Sequence, residues 1–263
     1  MKILVTGAAN GIGAAITAAA ARRGDTVIAA DLDKLKLSER WNDNRNVICE
    51  RLDVSSAEDW AALAERLNHA GHAIDVLVNV AGVLRSGKTG ELSPRDVHLM
   101  LDVNTKGVIF GANAVAPGMI LRRSGHIINI GSTASLFATP GTTVYAASKF
   151  AVRGFSIAAA GDLGRYGIAV TLVGPGPVKT DMLEQQRGDP NASLTFSGKR
   201  ALTPEEVAEA VLGPVLKTRP LEIYLPGKDG ILGKISTVLP RFFLSQLDSA
   251  RRRGEKNFSS SAF

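Results

Sequence analysis

The stretch Lys2-Ile3-Leu4-Val5-Thr6-Gly7-Ala8-Ala9-Asn10-Gly11-Ile12-Gly13 decides how this chain is read. Ile3, Leu4 and Val5 form an unbroken apolar run, the pattern of a strand buried on both faces. Glycines follow at 7, 11 and 13, and an Ala-rich helical segment begins at about residue 12. A strand that turns through glycines into a helix permits a tight turn and close approach of the backbone to a ligand. The first N–H groups of the helix have no intrahelical partner, and its dipole favours negative charge. Gly7, Asn10, Gly11, Ile12 and Gly13 are therefore candidates to cradle a pyrophosphate. Taken alone, the same residues also suit a plain strand-to-helix turn.

Outward from this turn the alternation repeats. Strand candidates are 2–6, 26–30, 47–52, 75–80, 126–131, 168–173 and 221–225. Ala-rich helical segments lie at 12–23, 56–70, 94–122, 144–165 and 204–216, the last opening with Thr203 as N-cap, Pro204 and two acids. This order predicts an α/β fold: a doubly wound parallel sheet, Rossmann-like, with about seven strands in a single domain and a C-terminal helical extension. The expected divisions are 1–226 for a dinucleotide-binding and catalytic domain, 227–256 for an amphipathic basic extension and 257–263 for a disordered tail. Residues 183–202, rich in Gly, Ser and Asn, are long for a connection and read as a lid or binding loop.

Composition narrows the classes. The chain has 263 residues, 45% hydrophobic and 21% charged, which suits one large globular domain. Its one cysteine, Cys49, excludes an internal disulfide framework, and the four histidines include no metal-binding pair, so no metal is expected. No 18-residue apolar run and no secretory pattern are visible, so the expected location is cytoplasmic. The net charge of +6 is unevenly placed: from Lys217 onward nine basic residues face four acidic ones, a net of +5. The neutral body argues against a nucleic-acid partner, which would favour a basic patch over the folded domain.

Asp31 ends the second strand, 18 residues after Gly13. A carboxylate there can accept hydrogen bonds from both hydroxyls of an adenosine ribose and repel a 2′-phosphate, which points to NAD, with NADP less favoured. The alternative is an N-cap for a helix near Lys34.

With these residues in place, the chain resembles the short-chain dehydrogenase/reductase family from Met1 to about Leu225. Thr6 to Gly13 matches T-G-x-x-x-G-x-G. Asp53 and Val54 resemble the pair that contacts adenine. Asn79-Val80-Ala81-Gly82 is similar to N-N-A-G, with Val80 where a second Asn is usual. Val103-Asn104-Thr105-Lys106-Gly107 places Asn104 where the family keeps an asparagine. Ser132 follows Gly131, and Tyr145-Ala146-Ala147-Ser148-Lys149 is a Y-x-x-x-K signature. Pro175-Gly176-Pro177-Val178-Lys179-Thr180 matches P-G-x-V-x-T, preceded by Gly174 where a larger residue is commoner. The resemblance implies a catalytic tetrad of Asn104, Ser132, Tyr145 and Lys149. It implies cofactor contacts from Asn79, Ala81, Gly82, Tyr145, Lys149, Pro175, Gly176, Val178 and Thr180. It also implies a homodimer or homotetramer through helices 105–122 and 146–164.

The chemistry agrees with that implication. Tyr145 and Lys149 are four apart on a predicted helix and share a face. An ordinary phenol is a poor base at neutral pH, and an ammonium together with a positive nicotinamide ring is expected to lower its pKa by about three units, roughly 4 kcal/mol. Tyr145 then exchanges a proton with the substrate oxygen, Ser132 polarises that oxygen, Lys149 holds the nicotinamide ribose, and Asn104 keeps a water beside Lys149.

The reading that follows is an NAD-dependent oxidoreductase moving hydride between nicotinamide and a secondary alcohol or ketone. The alternative is a catalytically silent dinucleotide-binding regulator or scaffold. Leu136, Phe137, Leu183, Leu194 and Phe196 lean toward an apolar small-molecule substrate. In the tail, Ile231, Leu232, Ile235, Val238, Leu239, Phe242, Phe243 and Leu247 recur at helical spacing among basic residues, with Pro240 expected to divide two helices. Two readings stand open: a stripe packed on protein, or an interfacial helix giving peripheral membrane contact.

Overall fold

The computed structural model describes residues 1–137 and 139–263, and among them seven strands form one sheet. These are β1 (Lys2–Thr6), β2 (Thr26–Asp31), β3 (Val47–Arg51), β4 (Val76–Asn79), β5 (Gly125–Ile130), β6 (Ile168–Pro175) and β7 (Glu222–Leu225). Their order is β3-β2-β1-β4-β5-β6-β7, and every neighbouring pair is parallel. The helices are α1 (Gly11–Arg22), α2 (Lys34–Trp41), α3 (Ala57–His69), α4 (Pro94–Leu101), α5 (Gly107–Arg122), α6 (Thr143–Gly164), α7 (Asp181–Glu184), α8 (Pro204–Ala210) and α9 (Leu216–Thr218). The tail adds α10 (Gly227–Val238), α11 (Pro240–Ser245) and α12 (Leu247–Lys256). The Rossmann-like sheet is the architecture expected from the alternation.

Side-chain parity explains the two helical layers, because successive residues of a strand face opposite sides. Ile3, Val5, Val27, Ala29, Val76 and Val78 join Ala14, Ile16 and Ala20 of α1, Leu37 and Trp41 of α2, and Val207 of α8. Leu4, Ile28, Ala30 and Leu77 join Trp60, Leu63 and Leu67 of α3, and Ala112, Val115 and Met119 of α5. Each Val, Leu, Ile or Met side chain so buried contributes about 1.5–3 kcal/mol. The predicted helix 94–122 is continuous but divided by a π-helical turn at Asp102–Lys106, and 204–216 is divided likewise at Val211–Val215. Thr203 caps α8 as expected: its Oγ1 accepts from Glu206 N at 3.2 Å, and Glu206 Oε2 accepts from Thr203 N at 2.8 Å. The 183–202 segment is more regular than a loop reading implies, carrying the second half of α7 and a 3-10 stretch at Pro190–Phe196.

The tail departs most from expectation. It forms three helices rather than two, since Gln246 ends α11 a few residues after Pro240 begins it. Gly230, Gly233 and Ser236 bury the inner face of α10, where side chains at the two glycines would crowd Tyr224 and Leu136. Gly254 of α12 lies against the Ser193 carbonyl with no room for a Cβ. Residues 257–263, expected to be a disordered tail, fold back on the body. Phe258 and Phe263 stack around Phe196 at centroid separations of 5.1 and 5.5 Å, and Ala201 N donates to Ala262 O at 2.9 Å. Two aromatics flanking the serines supply the apolar contact that composition alone did not reveal.

Candidate active site

The chain order reverses direction at β1, whose neighbours are β2 on one side and β4 on the other, and open α/β sheets bind ligands beyond the strand ends at such a point. A cleft of about 1270 Å³ lies there, running from Asp31 past the glycine turn to Tyr145 and on to the tail. Thr6 fixes its floor: Oγ1 accepts from Val80 N at 3.0 Å and from Ala81 N at 3.1 Å, joining the ends of β1 and β4. Gly7 has φ +67° and Gly11 φ +53°, the left-handed region that disfavours a side chain. At Gly13 a Cβ would overlap the Gly7 carbonyl, so helix and turn meet only because it is glycine. Asn10 is the N-cap of α1 and makes no side-chain capping bond, which leaves the first-turn N–H groups facing the cleft. Both features fit a dinucleotide diphosphate.

Asp31 lines the cleft at the end of β2. It does not cap α2, since Asp33 does so by accepting from Lys36 N at 3.1 Å. Asp31 has a further task invisible in the sequence: Oδ2 accepts from Ala9 N at 3.0 Å and Oδ1 from Asp33 N at 3.1 Å. A carboxylate has about four lone-pair sites, so capacity remains for a ribose. Asp53 and Val54 form the adjacent wall, with Asp53 Oδ1 held by Ser55 N and Oγ at 2.9 and 2.6 Å. Ala81, Gly82, Pro175, Gly176, Val178 and Thr180 also line the cleft, and the Thr180 methyl lies over Gly11.

Asn79 does not reach the cleft. It is buried, donating from Nδ2 to Asn129 Oδ1 at 2.9 Å, and Asn129 in turn donates to Ser156 Oγ at 2.9 Å. This network clamps β4, β5 and α6 together just before the Ala81–Gly82 wall.

Ser132, Tyr145 and Lys149 do converge on the cleft. Ser132 follows β5 and caps a short 3-10 turn, its Oγ accepting from Ala134 N at 3.0 Å, which leaves the O–H free to donate. Lys149 is 5% exposed; its Nζ donates to Ile130 O at 3.0 Å and lies 5.7 Å from the Tyr145 ring centroid. Burial pushes the Lys149 ammonium down to about 8. The Tyr145 phenol goes the opposite way from the expectation: burial pushes it up to about 12, with the Ser132 hydroxyl opposing. Desolvation penalises the phenolate, and the ammonium over the ring does not offset it in the chain alone. At neutral pH the Tyr145 phenol therefore keeps its proton.

Asn104 is fully buried in the π-helical turn and does not line the cleft. Its Oδ1 accepts from Val83 N at 2.8 Å, while Nδ2 donates to Val83 O at 2.9 Å and Ser148 Oγ at 3.0 Å. Both amide hydrogens are taken, so the side chain braces Val83 and Ser148. A methyl group at Gly82 would sit 3.3 Å from Asn104 Oδ1 and 3.7 Å from Lys149 Nζ, which marks the gap between them. Ser148, missed in the sequence, completes the brace by donating to Tyr145 O at 2.7 Å; its signal was its place three residues after Tyr145 on the same helix. The two unusual glycines also have reasons. A side chain at Gly174 would strike the Tyr224 ring, and one at Gly131 would crowd Leu172 and Ser135.

The far end of the cleft is apolar and owes much to the tail. Leu136, Phe137, Leu183 and Leu194 face Leu232, Phe242, Phe243 and Leu247. Phe137 meets Phe243 edge-on at 6.1 Å. The segment 181–200 is strapped down from below, where Arg187 donates to the Phe258 and Phe263 carbonyls and Asn257 Nδ2 to Phe196 O at 2.8 Å. Among the described residues no cluster of His, Cys, Asp and Glu is placed to hold a metal ion.

Comparison with known proteins follows the same outline. The short chain dehydrogenase family model matches residues 1–191. An NADP-dependent 3-hydroxy acid dehydrogenase of Escherichia coli (strain K12) is 38% identical over 216 residues, covering 80% of this chain and 87% of that protein. An uncharacterized oxidoreductase of Staphylococcus saprophyticus is 35% identical over 214 residues, with 80% and 88% covered. Among solved structures, the closed form of a serine dehydrogenase complexed with NADP+ superposes with a TM-score of 0.76 at 36% identity, covering 85% of this chain and 92% of that one. A short-chain dehydrogenase from Streptomyces avermitilis gives 0.80 at 26% identity and covers 95% of this chain and 97% of that one. The chain therefore belongs to the short-chain dehydrogenase family and is an oxidoreductase built to bind a nicotinamide dinucleotide.

Proposed function

We propose that the protein is an NAD-dependent dehydrogenase/reductase acting on a secondary alcohol or ketone attached to an apolar body. One observation carries the reading: Ser132, Tyr145 and Lys149 meet in a cleft with the glycine turn and Asp31 at one end and an apolar pocket at the other. When bound, the nicotinamide supplies or accepts the hydride at the substrate carbon. In reduction, Tyr145 gives its phenolic proton to the carbonyl oxygen while Ser132 donates a hydrogen bond to the same atom. Lys149 holds the nicotinamide ribose, and its charge steadies the phenolate left behind. In oxidation the proton returns to Tyr145. Burial leaves the phenol protonated in the free chain, so oxidation requires Lys149 and the positive nicotinamide ring to stabilise the phenolate.

NAD is favoured by the Asp31 carboxylate in the cleft wall. The second reading, NADP, has its own support in Lys36, which also lines the cleft, and in relatives named for that cofactor. Leu121 and Ile157, exposed on α5 and α6, favour self-association through those helices. The test is turnover of a panel of apolar ketones by NADH, with Tyr145→Phe as the control. The variant is expected to bind NADH as the parent does and to lose at least about 100-fold in rate, the lower end for a general acid. A parent that binds NADH but reduces none of the panel, or a variant of near-parental rate, would sink the proposal in favour of a silent binder.

A further inference from the structure

We propose that the outer face of α10 and α11 docks on an anionic lipid surface, with the apolar end of the cleft opening at the contact. Seven of the fifteen exposed large apolar side chains among the described residues fall within 231–244, so this is the chain's most concentrated apolar surface. The geometry is that of a two-faced helix. At about 100° per residue, Gly230, Gly233 and Ser236 point into the body, and Ile231, Ile235 and Val238 point directly away. Those three are 68, 46 and 76% exposed. On the same wheel Lys228 and Lys234 flank the apolar strip, the arrangement in which long basic side chains reach up to headgroups while their stems cover apolar surface.

Charge decides between occupants. Residues 227–256 hold seven basic groups against Asp229, Asp248 and Glu255, a net of +4, although Lys234 also lies 3.4 Å from Glu222. A second copy docked face to face would bring like charges together, whereas an anionic bilayer complements both the charge and the apolar strip. The cleft supplies the functional link. Leu232, Phe242 and Leu244 line it and yet stand about half exposed, so they form its rim within the patch. No helix among the described residues is long and apolar enough to cross a membrane, so the attachment is peripheral. The docking does not depend on the cofactor or substrate assignment, and its test reads binding alone.

The full chain is to be sedimented with vesicles of equimolar phosphatidylglycerol and phosphatidylcholine, and with phosphatidylcholine alone. Binding is expected only to the mixed vesicles, and about 1 M salt should weaken it at least about tenfold by shortening the Debye length to about 3 Å. The triple variant Ile231→Ser, Ile235→Ser, Val238→Ser touches no cleft residue and should lose at least about tenfold in vesicle affinity, with dinucleotide binding retained as the check on folding. A parent chain that ignores the mixed vesicles at low salt overturns the proposal. So does a triple variant that binds them as well as the parent, or one whose only change is a smaller oligomer, which would assign the face to a second copy.

Discussion

Replacing Asp31 by Asn and by Ala separates two jobs that the structure gives to one carboxylate. In the free chain Asp31 accepts from Ala9 N and Asp33 N at 3.0 and 3.1 Å. Bonds to a charged acceptor contribute about 1.5–3 kcal/mol each when buried, and this half-buried side chain earns less, so Asp31→Ala should destabilise by about 1–3 kcal/mol in total. In the proposed complex the same charge would face a 2′-phosphate. Two unit charges about 4 Å apart repel by about 1 kcal/mol in water and about 4 at an effective dielectric of 20, so a ratio change between about 5-fold and several hundred-fold is expected when the charge is removed. Asp31→Asn keeps an oxygen for Ala9 N, and should therefore raise NADPH affinity relative to NADH with little loss of the turn's shape. Asp31→Ala should narrow the preference similarly and in addition weaken both cofactors together, because the phosphate turn loses its tether. Fluorescence titration of NADH and NADPH against the three proteins, with thermal unfolding alongside, reads every term. An unmutated chain that prefers NADPH, or Asp31→Asn with an unchanged ratio, refutes the reasoning.

Gly82→Ala places a methyl group between Asn104 Oδ1 and Lys149 Nζ, 3.3 and 3.7 Å away, and should slow turnover at least about tenfold with smaller effect on NADH affinity; equal rates would mean the gap does nothing. The pH dependence follows from burial. Lys149 is cationic below about 8 and neutral above, and Tyr145 is protonated up to about 12, so ketone reduction should be flat below about 8 and fall above it. Alcohol oxidation needs the phenolate and should rise with pH from neutrality; initial rates in both directions check the signs, and a reduction rate climbing through pH 8 contradicts them. Gly254→Val forces α12 away from the Ser193 carbonyl, loosening the strap under 181–200, and should raise the substrate KM several-fold with kcat less affected.

Much of the site was legible because its chemistry is local. The turn at Gly7 to Gly13, the four-residue spacing of Tyr145 and Lys149, and Ser132 at a strand end each depend on neighbours within one or two elements. Asn79 and Asn104 show where that reading stops. Both stand in recognisable motifs, but whether an amide faces a cleft or a neighbouring backbone depends on elements far away in the chain, here Asn129 for one and Val83 with Ser148 for the other. The phenol's shift also went unread, since its sign rests on how much water the surrounding elements exclude.

The sequence by itself determined the parallel sheet, its two-sided burial and the order of the motifs along the chain, because strand parity, helix spacing and glycine placement are properties of short segments. Only the tertiary structure decided that Asp31 tethers Ala9, that Tyr224 requires Gly174 to be bare, and that Phe258 and Phe263 close on Phe196 instead of trailing in solvent. It also decided that α10 buries its glycines and turns Ile231, Ile235 and Val238 outward. A helical apolar stripe says that one face must avoid water, but which face meets the body is set by steric fit, and the small residues won because Tyr224 and Leu136 leave room for nothing larger.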